Sequence, residues 1–266
     1  MTTAIALSIA GSDSSGGAGI QADLKTFSAL GVYGATVITA LTAQNTQAVA
    51  AIEMVSPRFV AAQIDAVCGD LAIDAVKIGM LGTAAVIEAV AAGLDRHSLK
   101  NVVLDPVMVA GTGRELLARD AVDVLRRVLI PRASIVTPNL PEAAALLDAP
   151  EARDETQMRG QAERLLRLGA RAVLIKGGHA GGSDSVDFFA DGRVELRLPA
   201  PRVATQNTHG TGCTLSAAIA AGLAKGLAPA EAVAQAKAYV TAAIAAADRL
   251  SVGRGAGPLH HFHEWW

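Results

Sequence analysis

Short runs of β-branched and other apolar residues alternate along the chain with segments of helical periodicity. The apolar runs predict strands over residues 4–10, 35–40, 74–78, 101–104, 134–136 and 172–175. Apolar positions with helical spacing predict helices over residues 20–30, 57–68 and 83–92. This alternation is typical of right-handed βαβ units. It predicts an α/β fold with a mostly parallel central sheet flanked by helices.

The pattern changes in the last third of the chain. The runs SVDFFA and RVELRL flank Asp191 and Gly192, and this arrangement predicts a hairpin within residues 183–198 at an antiparallel edge of the sheet. Two long helices are predicted next, over residues 211–225 and 229–249. Because no repeat, linker or low-complexity spacer divides the chain, we expect one domain over residues 1–266.

Composition narrows the class of protein. Hydrophobic residues make up 51% of the 266 residues and aromatic residues only 3%, so the core must consist mainly of Ala, Val, Leu and Ile. A formal charge of -2 and a pI near 6.3 provide no basic surface for nucleic acid or an anionic membrane, which favours a small-molecule partner. The widely separated Cys68 and Cys213, the lack of a signal-like N-terminal segment and the lack of a long apolar run predict a cytoplasmic protein without membrane spans.

The segment THGTGCT at residues 208–214 is the strongest candidate for chemistry. Gly210 and Gly212 let successive backbone N–H groups converge, and the positive end of the following helix lies behind them, which suits a phosphoryl group. Cys213 falls in the first turn of that helix, where the helix dipole is expected to lower the thiol pKa and make it a base or nucleophile. On this segment alone, a simple helix start with a packed cysteine is an equally good interpretation.

A second glycine-rich loop, at residues 11–19, follows the first predicted strand. It does not end in Gly-Lys-Ser/Thr, which disfavours a Walker phosphate loop. The second strand leads into LTAQNT without the acidic residue that a dinucleotide-binding unit needs for the ribose. These differences make a Rossmann-type oxidoreductase a poor interpretation of the alternating pattern.

Gln44 and Asp23 are candidate ligands of a small molecule. The amide of Gln44 offers a donor and an acceptor side by side, which matches the ring nitrogen and exocyclic amine of an aminopyrimidine. Without the other motifs, the local pattern favours a turn cap as the role of Gln44 and Asn45. Asp23, near a helix start, could bind a substrate or satisfy the helix dipole.

Further polar residues follow other predicted strands, at the carboxyl edge where open α/β sheets bind ligands. Asp105 is followed by a proline that ends the strand, and it is suited to hold a metal or orient a phosphate. Asn139 and Glu142 are spaced for a capping box, or for holding waters around a magnesium ion that bridges nucleotide phosphates. Lys176 could contact a phosphate or be an ordinary loop lysine. The sequence does not separate these alternatives locally.

An ordered series of motifs resembles one family over essentially the whole chain. The motifs are GSDSSGGAGIQADLKTFSALG, ITALTAQNT, KIGML, VVLDPVM, TPNLPEAAALL, KGGH, NTHGTGCTLSAA and VGRGAGPLHHFHEWW. They are similar to the hydroxymethylpyrimidine/phosphomethylpyrimidine kinases of thiamine biosynthesis, in the ribokinase-like superfamily. The resemblance implies a ribokinase-like three-layer sandwich. It also implies ATP-dependent phosphorylation of 4-amino-5-hydroxymethyl-2-methylpyrimidine to its monophosphate and then to the diphosphate.

The resemblance also implies residue roles. The residues implied at the pyrimidine are Gln44, Asp23, Gly11, Met80 and Val107. Those implied at Mg-ATP are Asp105, Asn139, Glu142, Lys176 and Lys237, with Asp105 and Glu142 on the Mg²⁺ ion. The implied catalytic turn is Gly210, Thr211, Gly212 and Cys213. Sugar kinases of the superfamily carry aspartate where this chain carries Cys213, and a homodimer is expected by resemblance alone.

Two other functions stay open at this point. A pyridoxal or pyridoxine kinase of vitamin B6 salvage would use the same fold, although Gln44 and the chain ending favour the pyrimidine kinase. A non-catalytic pyrimidine-binding protein would not need the phosphate-binding residues. The His260, His261 and His263 cluster is interpreted as a packed tail rather than a metal centre, and residues 110–114 are assigned to a mobile loop near ATP.

Overall fold

The computed structural model describes residues 3–109, 113–178 and 183–266. The described strands form one nine-stranded sheet in the order β3-β2-β1-β4-β5-β6-β7-β8-β9. The strands are β1 (Ile5–Asp13), β2 (Tyr33–Gln44), β3 (Val49–Met54), β4 (Ala75–Ile78), β5 (Val102–Leu104), β6 (Ile135–Val136), β7 (Val173–Ile175), β8 (Asp184–Ala190) and β9 (Glu195–Pro201). The α-helices are α1 (Gly19–Ala29), α2 (Pro57–Cys68), α3 (Ala84–Arg96), α4 (Arg119–Val124), α5 (Leu140–Leu147), α6 (Glu155–Arg167), α7 (Thr211–Ala224) and α8 (Pro229–Ala245).

The centre of the sheet is parallel, and both of its edges are antiparallel. Strands β2, β1, β4, β5, β6 and β7 pair in parallel, while β8 and β9 form the predicted hairpin at one edge. At the other edge, β3 pairs antiparallel with β2, from Ala40 opposite Met54 to Gln44 opposite Val49. The prediction missed β3 and ended β2 too early, because this strand pair is largely exposed and lacks a buried apolar run. The extension carries Gln44 beyond the central sheet.

Alternation along the strands divides the core into two layers. On β5, Val102 and Leu104 face a core formed with α2 to α6, whereas Val103 faces a core formed with α1, α7 and α8. The second core is rich in alanine, so α7 packs closely on the sheet. Burial of each Leu or Ile side chain in these layers stabilises the folded state by about 1.5–3 kcal/mol relative to exposure to water. The predicted three-layer sandwich is confirmed. Helices α4 and α6 are additions that the prediction did not contain.

Several helix boundaries follow directly from local chemistry. The hydroxyl of Ser56 accepts the amide of Phe59, and Pro57 occupies the first turn, so α2 begins where the sequence predicts. The predicted last helix is interrupted, because α8 ends at Ala245 and a short 3₁₀ helix follows over Ala247–Arg249. In the described part of the chain, no helix combines the length and apolar composition that crossing a membrane requires.

Candidate active site

The carboxyl ends of neighbouring strands bring together polar residues that lie far apart in the sequence. Gly11 near the end of β1 lies against Met80 just after β4, because a Cβ on Gly11 would be 3.1 Å from the Met80 Sδ. Asp105 follows β5 and Lys176 follows β7, and their side chains meet in an ion pair. The predicted clustering at this edge of the sheet is confirmed for these residues.

Asp105 and Lys176 form the charged centre of the site. The Nζ of Lys176 lies 2.7 Å from the Oδ1 of Asp105, which also accepts from the Thr137 hydroxyl at 3.2 Å. The Ser216 hydroxyl donates to Asp105 Oδ2 at 3.3 Å. Burial would raise the pKa of Asp105, but the Lys176 and Lys77 ammonium groups outweigh it and hold this pKa below its usual range. The carboxylate is therefore ionised although it is buried.

Glu142 performs a structural role and also faces the charged centre. Its carboxylate accepts the Asn139 amide at 2.8 Å, and the Asn139 side chain accepts the Glu142 amide at 2.8 Å, which completes a capping box. Its Oε2 also lies 3.7 Å from the Lys176 Nζ. Burial raises the pKa of Glu142 to about 7, against the opposing effect of Lys176. The capping box therefore also holds a carboxylate beside the charged centre.

The glycine turn opens onto this centre. Gly210 is the N-cap of α7 with a left-handed φ of 83°, and a Cβ there would lie 1.9 Å from the Gly17 carbonyl oxygen. The Thr211 hydroxyl donates to the Thr208 carbonyl at 2.7 Å and holds the turn. A Cβ on Gly212 would lie 3.4 Å from the Lys176 Nζ and 3.7 Å from Asp105 Oδ2. The first amides of α7 and the Lys176 ammonium thus border one small space.

The predicted thiolate at Cys213 requires a correction. Cys213 is in the first turn of α7 as expected, but burial raises the pKa of its thiol above the ordinary value. The Lys77 ammonium and a hydrogen bond from the Gly19 amide act in the opposite direction without overcoming burial. The helix dipole is therefore not sufficient to ionise this sulfur, and Cys213 is a thiol at neutral pH.

Asp23 also differs from its predicted place beside a substrate. Its side chain is fully buried, 2.8 Å from the Lys77 Nζ on β4, and it accepts from the Ser8 hydroxyl on β1 at 2.6 Å. The other oxygen, Oδ1, has no hydrogen-bond partner among the described residues. Asp23 and Lys77 form a buried ion pair that acts electrostatically on Cys213. Asp23 thus lies beneath the site and is not exposed to it.

Lys237 is held by a different carboxylate. Its Nζ lies 2.8 Å from Asp187 Oδ2 and 3.1 Å from the Ser185 carbonyl. The other oxygen of Asp187 accepts the Gly177 amide at 2.9 Å. Lys237 therefore supports the turn that follows Lys176 and is not paired with Asp105 or Glu142.

Gln44 lies beside a network that the sequence did not reveal. Its amide Nε2 is placed 3.3 Å from the His209 Nε2, and its Oε1 is placed 3.2 Å from the Thr42 hydroxyl. His209 Nε2 is also 2.8 Å from the Asp13 carboxylate. Asp13 and His209 each lie inside a glycine-rich motif. The position of Asp13, a charged residue at the end of a buried strand, was the sequence signal that could have identified it. Val107 lies in the turn after Asp105, where its amide donates to the Asp105 carbonyl at 2.8 Å.

Two predictions concern segments that are only partly described. Residues 110–112 of the loop assigned near ATP, and His179 after Lys176, lie outside the described residues. Arg114, just after the first gap, donates to the Val49 carbonyl at 2.7 Å and the Ala50 carbonyl at 3.1 Å. The end of this loop is therefore attached to β3.

The C-terminal histidines are packed, as the sequence predicts. His260 and His261 are buried, and the His261 Nε2 lies 3.0 Å from the Thr214 hydroxyl on α7. That hydroxyl donates to the Gly210 carbonyl at 2.8 Å, so His261 must donate to it through Nε2. The described residues contain no cluster of three or more His, Cys, Asp or Glu side chains that could hold a metal. The tail thus supports the first turn of α7.

This packing predicts a pH-dependent stability. Burial lowers the pKa of His261 to about 4, and the Lys25 ammonium acts in the same direction. Between pH 6.5 and 4 the unfolded chain binds more protons at His261 than the folded chain does. The contribution of neutral His261 to the free energy of unfolding is therefore complete above pH 6.5 and is lost as pH falls. We expect wild type to lose about 2 kcal/mol more than His261→Gln between about pH 7 and pH 5. Urea denaturation of both proteins at the two pH values measures this difference, and equal losses would contradict it.

The donor set around Lys176 fits a phosphate chain with a hard cation. Asp105 and Glu142 supply carboxylate oxygens, the ligand type that Mg²⁺ prefers, and Mg²⁺ commonly binds one or two carboxylates together with phosphates and water. The hydrogen bond from Ser216 to Asp105 Oδ2 is long, at 3.3 Å, and a carboxylate oxygen can accept more than one such contact. The adjacent α7 N-terminus and Lys176 supply positive potential for the phosphates.

Comparison with known proteins supplies independent information. The family described as phosphomethylpyrimidine kinase matches residues 13–260. The hydroxymethylpyrimidine/phosphomethylpyrimidine kinase of Rhizobium meliloti is 62% identical over 264 residues, 99% of each chain. The thiamine biosynthesis bifunctional protein of Geobacter sulfurreducens is 55% identical over 257 residues, 96% of this chain and 51% of that protein. The ADP complex of Bacillus subtilis pyridoxal kinase superposes with a TM-score of 0.90 at 39% identity and 98% coverage of both chains.

Proposed function

Because the chain belongs to the phosphomethylpyrimidine kinase family, we propose that it phosphorylates 4-amino-5-hydroxymethyl-2-methylpyrimidine with ATP, and then its monophosphate, for thiamine biosynthesis. The family, the kinase class and the ribokinase-like fold predicted from the sequence motifs are confirmed. The order of the two phosphorylations and the role of each residue are part of the proposal.

The observation that carries the proposal is the approach of the glycine turn to the charged centre. The space in front of Gly212 is bordered by the α7 amides, by Lys176 and by Asp105. In phosphoryl transfer through a loose transition state, positioning and charge stabilisation supply most of the barrier reduction. A site that surrounds a small space with amides and one ammonium group has the required chemistry.

At the nucleotide end, we assign Lys176 to a phosphate and Asp105 and Glu142 to the metal. A bound Mg²⁺ ion would neutralise negative charge on the phosphate chain. Asn139 holds Glu142 through the capping box, and Lys237 supports the Gly177 turn through Asp187. The ADP complex of the similar Bacillus subtilis protein supports nucleotide binding by this fold.

At the pyrimidine end, Gln44 offers its amide to the ring nitrogen and the exocyclic amine. Gly11 and Met80 are in contact and provide an apolar surface for the ring, with Val107 in the turn beside Asp105. Asp23 is assigned a different role, because it is fully buried in its pair with Lys77. Together with Lys77, it acts electrostatically on Cys213.

The two phosphorylations should depend differently on Cys213. In the first step the nucleophile is an alcohol that must lose a proton, and in the second it is a phosphate that is already anionic. Because Cys213 is a neutral thiol at neutral pH, only its minor thiolate fraction can accept the alcohol's proton. We therefore expect Cys213→Ala to slow the first step by at most about 10²-fold, the low end of general-base contributions, and the second step much less. Steady-state assays with each pyrimidine as substrate measure both effects. Equal losses in the two steps would rule out a base role for Cys213.

A pyridoxal kinase activity is the second candidate. The observation in its favour is the close superposition on a pyridoxal kinase over nearly the whole chain. Against it, the Rhizobium relative named as a pyrimidine kinase is 62% identical, compared with 39% for the pyridoxal kinase. The pyrimidine remains the better supported substrate.

A coupled ATP assay of the purified protein tests the proposal. Hydroxymethylpyrimidine, its monophosphate and pyridoxine are offered separately with Mg²⁺. We expect turnover of both pyrimidines and little turnover of pyridoxine. Pyridoxine as the better substrate would move the assignment to vitamin B6 salvage, and tight pyrimidine binding without any turnover would indicate a sensor.

We also propose that the protein is a cytoplasmic homodimer. The edge strand β3 and the exposed apolar side chains of Leu41 on β2 and Phe59 on α2 support an interface between copies. The use of ATP and the free thiols support the cytoplasm. Light scattering after size-exclusion chromatography should give twice the mass of one chain, and cell fractionation should recover the protein in the cytoplasmic fraction.

A further inference from the structure

We propose that His209 is a positioning residue that fixes the orientation of the Gln44 side-chain amide and thereby selects the edge of the ring that Gln44 accepts. The proposal deepens the proposed function, because it rests on Gln44 contacting the pyrimidine. It is carried by hydrogen bonds that connect Asp13, His209, Gln44 and Thr42.

Asp13 determines where His209 carries its proton. The Asp13 carboxylate accepts the Ser15 amide and hydroxyl at 2.8 and 2.7 Å, and the Gly17 and Ala18 amides at 3.1 and 2.8 Å. Burial raises the pKa of Asp13, but these donors and His209 outweigh burial and hold the pKa well below its usual range. The ionised carboxylate has no hydrogen and can only accept hydrogen bonds. The His209 Nε2, 2.8 Å from Asp13 Oδ2, must therefore carry a hydrogen.

Thr42 determines which atom of the Gln44 amide faces its hydroxyl. Its hydroxyl has one hydrogen, which it donates to the Ser12 carbonyl at 2.9 Å. The same hydroxyl lies 3.2 Å from the atom placed as Gln44 Oε1. Because its one hydrogen goes to Ser12 at the shorter distance, the hydroxyl can only accept from Gln44. Thr42 therefore requires an N–H of Gln44 on its side.

These two constraints select one orientation of Gln44. The hydrogen on His209 Nε2 is accepted by Asp13, and the protonated nitrogen has no lone pair to accept an N–H of Gln44. An amide oxygen at this position can share that hydrogen, whereas Thr42 requires the NH₂ group. The amide oxygen and nitrogen are nearly indistinguishable by shape, so hydrogen-bond partners decide the orientation. As placed, the Gln44 Nε2 lies 3.3 Å from the His209 Nε2 and the Oε1 lies 3.2 Å from the Thr42 hydroxyl. The hydrogen-bond partners favour the exchanged orientation, in which the amide oxygen faces His209 and the amide nitrogen faces Thr42.

The orientation has a consequence for specificity. Gln44 keeps one N–H beside Thr42 and one oxygen lone pair beside His209 for the ligand. This pair matches a ring nitrogen on the Thr42 side and an exocyclic amine on the His209 side. A heteroaromatic ring without the amine leaves the oxygen lone pair without a donor, so the site disfavours it.

The position of the His209 ring is determined by both glycine-rich segments and the tail. A Cβ on Gly17 would lie 2.4 Å from the His209 Cδ2, so the ring occupies space that only a glycine leaves. The His209 amide donates to the Gly257 carbonyl at 3.0 Å, and the backbones of His209 and Pro258 pair in a bridge. The ring is therefore held in place independently of Gln44.

The test compares His209→Leu with His209→Gln. The leucine lacks a donor, while the glutamine returns an N–H donor at a similar reach. We expect His209→Leu to raise KM for the pyrimidine about five- to tenfold, the effect of one hydrogen bond, with kcat and KM for ATP within about twofold. His209→Gln should restore most of the affinity. Wild type should prefer the pyrimidine to its analogue without the amine, and His209→Leu should lose part of this preference.

A double-mutant cycle separates this proposal from the assignment of Gln44. After Gln44→Ala, His209→Leu should have no further effect on KM for the pyrimidine. If Gln44→Ala itself leaves KM unchanged, the proposed reading of the pyrimidine by Gln44 fails. If Gln44→Ala raises KM and His209→Leu multiplies it by the same factor as in wild type, His209 acts independently and the positioning role is overturned.

A second variant covers the case of a folding defect. His209→Leu leaves Asp13 with four donors, so we expect its melting temperature to stay near that of wild type. If it does not fold, Gly17→Ala displaces the His209 ring by contact with Cδ2 and keeps the imidazole. Gly17→Ala should raise KM for the pyrimidine and leave KM for ATP unchanged. Unchanged pyrimidine affinity in this variant would overturn the proposal.

Discussion

Gly212→Val should abolish phosphoryl transfer while leaving the protein folded. A Cβ at residue 212 would lie in ordinary contact, 3.4 Å from the Lys176 Nζ and 3.7 Å from Asp105 Oδ2, so the fold tolerates it. The valine methyl groups extend into the space that we assign to the transferring group. We expect kcat to fall at least about 10³-fold, comparable to the loss of an oxyanion-hole donor. Steady-state assays measure kcat, and calorimetry measures whether pyrimidine binding survives.

Two other glycines provide the comparison. A Cβ on Gly160, in the middle of α6, would meet no described atom within 4 Å outside its own helix backbone, so Gly160→Val controls for valine in a helix and should retain full activity. Gly210→Ala should instead disrupt the turn, because φ is 83° and the new Cβ would lie 1.9 Å from the Gly17 oxygen. A Gly212→Val enzyme with wild-type turnover would refute the assignment of the α7 N-terminus as the phosphoryl site.

The largest effect on stability should come from Lys77→Met. Lys77 and Asp23 are fully buried at 2.8 Å, and burial raises the pKa of Asp23 despite the opposing effect of Lys77. Removal of the ammonium leaves the Asp23 carboxyl group with only the Ser8 hydroxyl and an Oδ1 that is unpaired among the described residues. Breaking a buried pair by removing one partner costs about 3–5 kcal/mol in the free energy of unfolding. Urea denaturation at neutral pH measures this loss.

The matched variants separate charge from packing. Adding Asp23→Asn to Lys77→Met removes the unpaired charge and keeps an acceptor for Ser8, so most of the lost stability should return. Arg96→Met removes one partner of an exposed ion pair with Asp65, and its unfolding free energy should change little. Lys77→Met with wild-type stability would show that Asp23 is uncharged in the folded protein.

The buried pair also contributes to the electrostatic environment of Cys213. Burial favours the neutral thiol of Cys213, and Lys77 partly opposes that preference. The alanine-rich face of α7 brings its first turn close to the sheet, where Lys77 on β4 and Asp105 after β5 are located. Charge near the sulfur therefore comes from the sheet as well as from the helix terminus.

Much of the candidate site was predictable because its residues occur in short motifs, and the local chemistry of each motif is sufficient to predict its backbone conformation. The Asn139 and Glu142 spacing predicts the capping box, and THGTGCT predicts the glycine turn at the start of α7. Lys77 was overlooked because a lysine within AVKI resembles an interruption of an apolar strand. Its partner Asp23 is 54 residues away in the sequence.

Apolar periodicity, glycine positions and motif spacing act within a few residues, so the amino-acid sequence was sufficient for the order of most strands and helices, the turns and the family. The folded chain was needed for the pairing of Asp105 with Lys176, the burial of Asp23, the neutral state of Cys213 and the contact of His209 with Asp13 and Gln44. These features depend on distances between residues remote in the chain and on the loss of solvent around them. Charge and protonation respond to that burial, which no local pattern encodes.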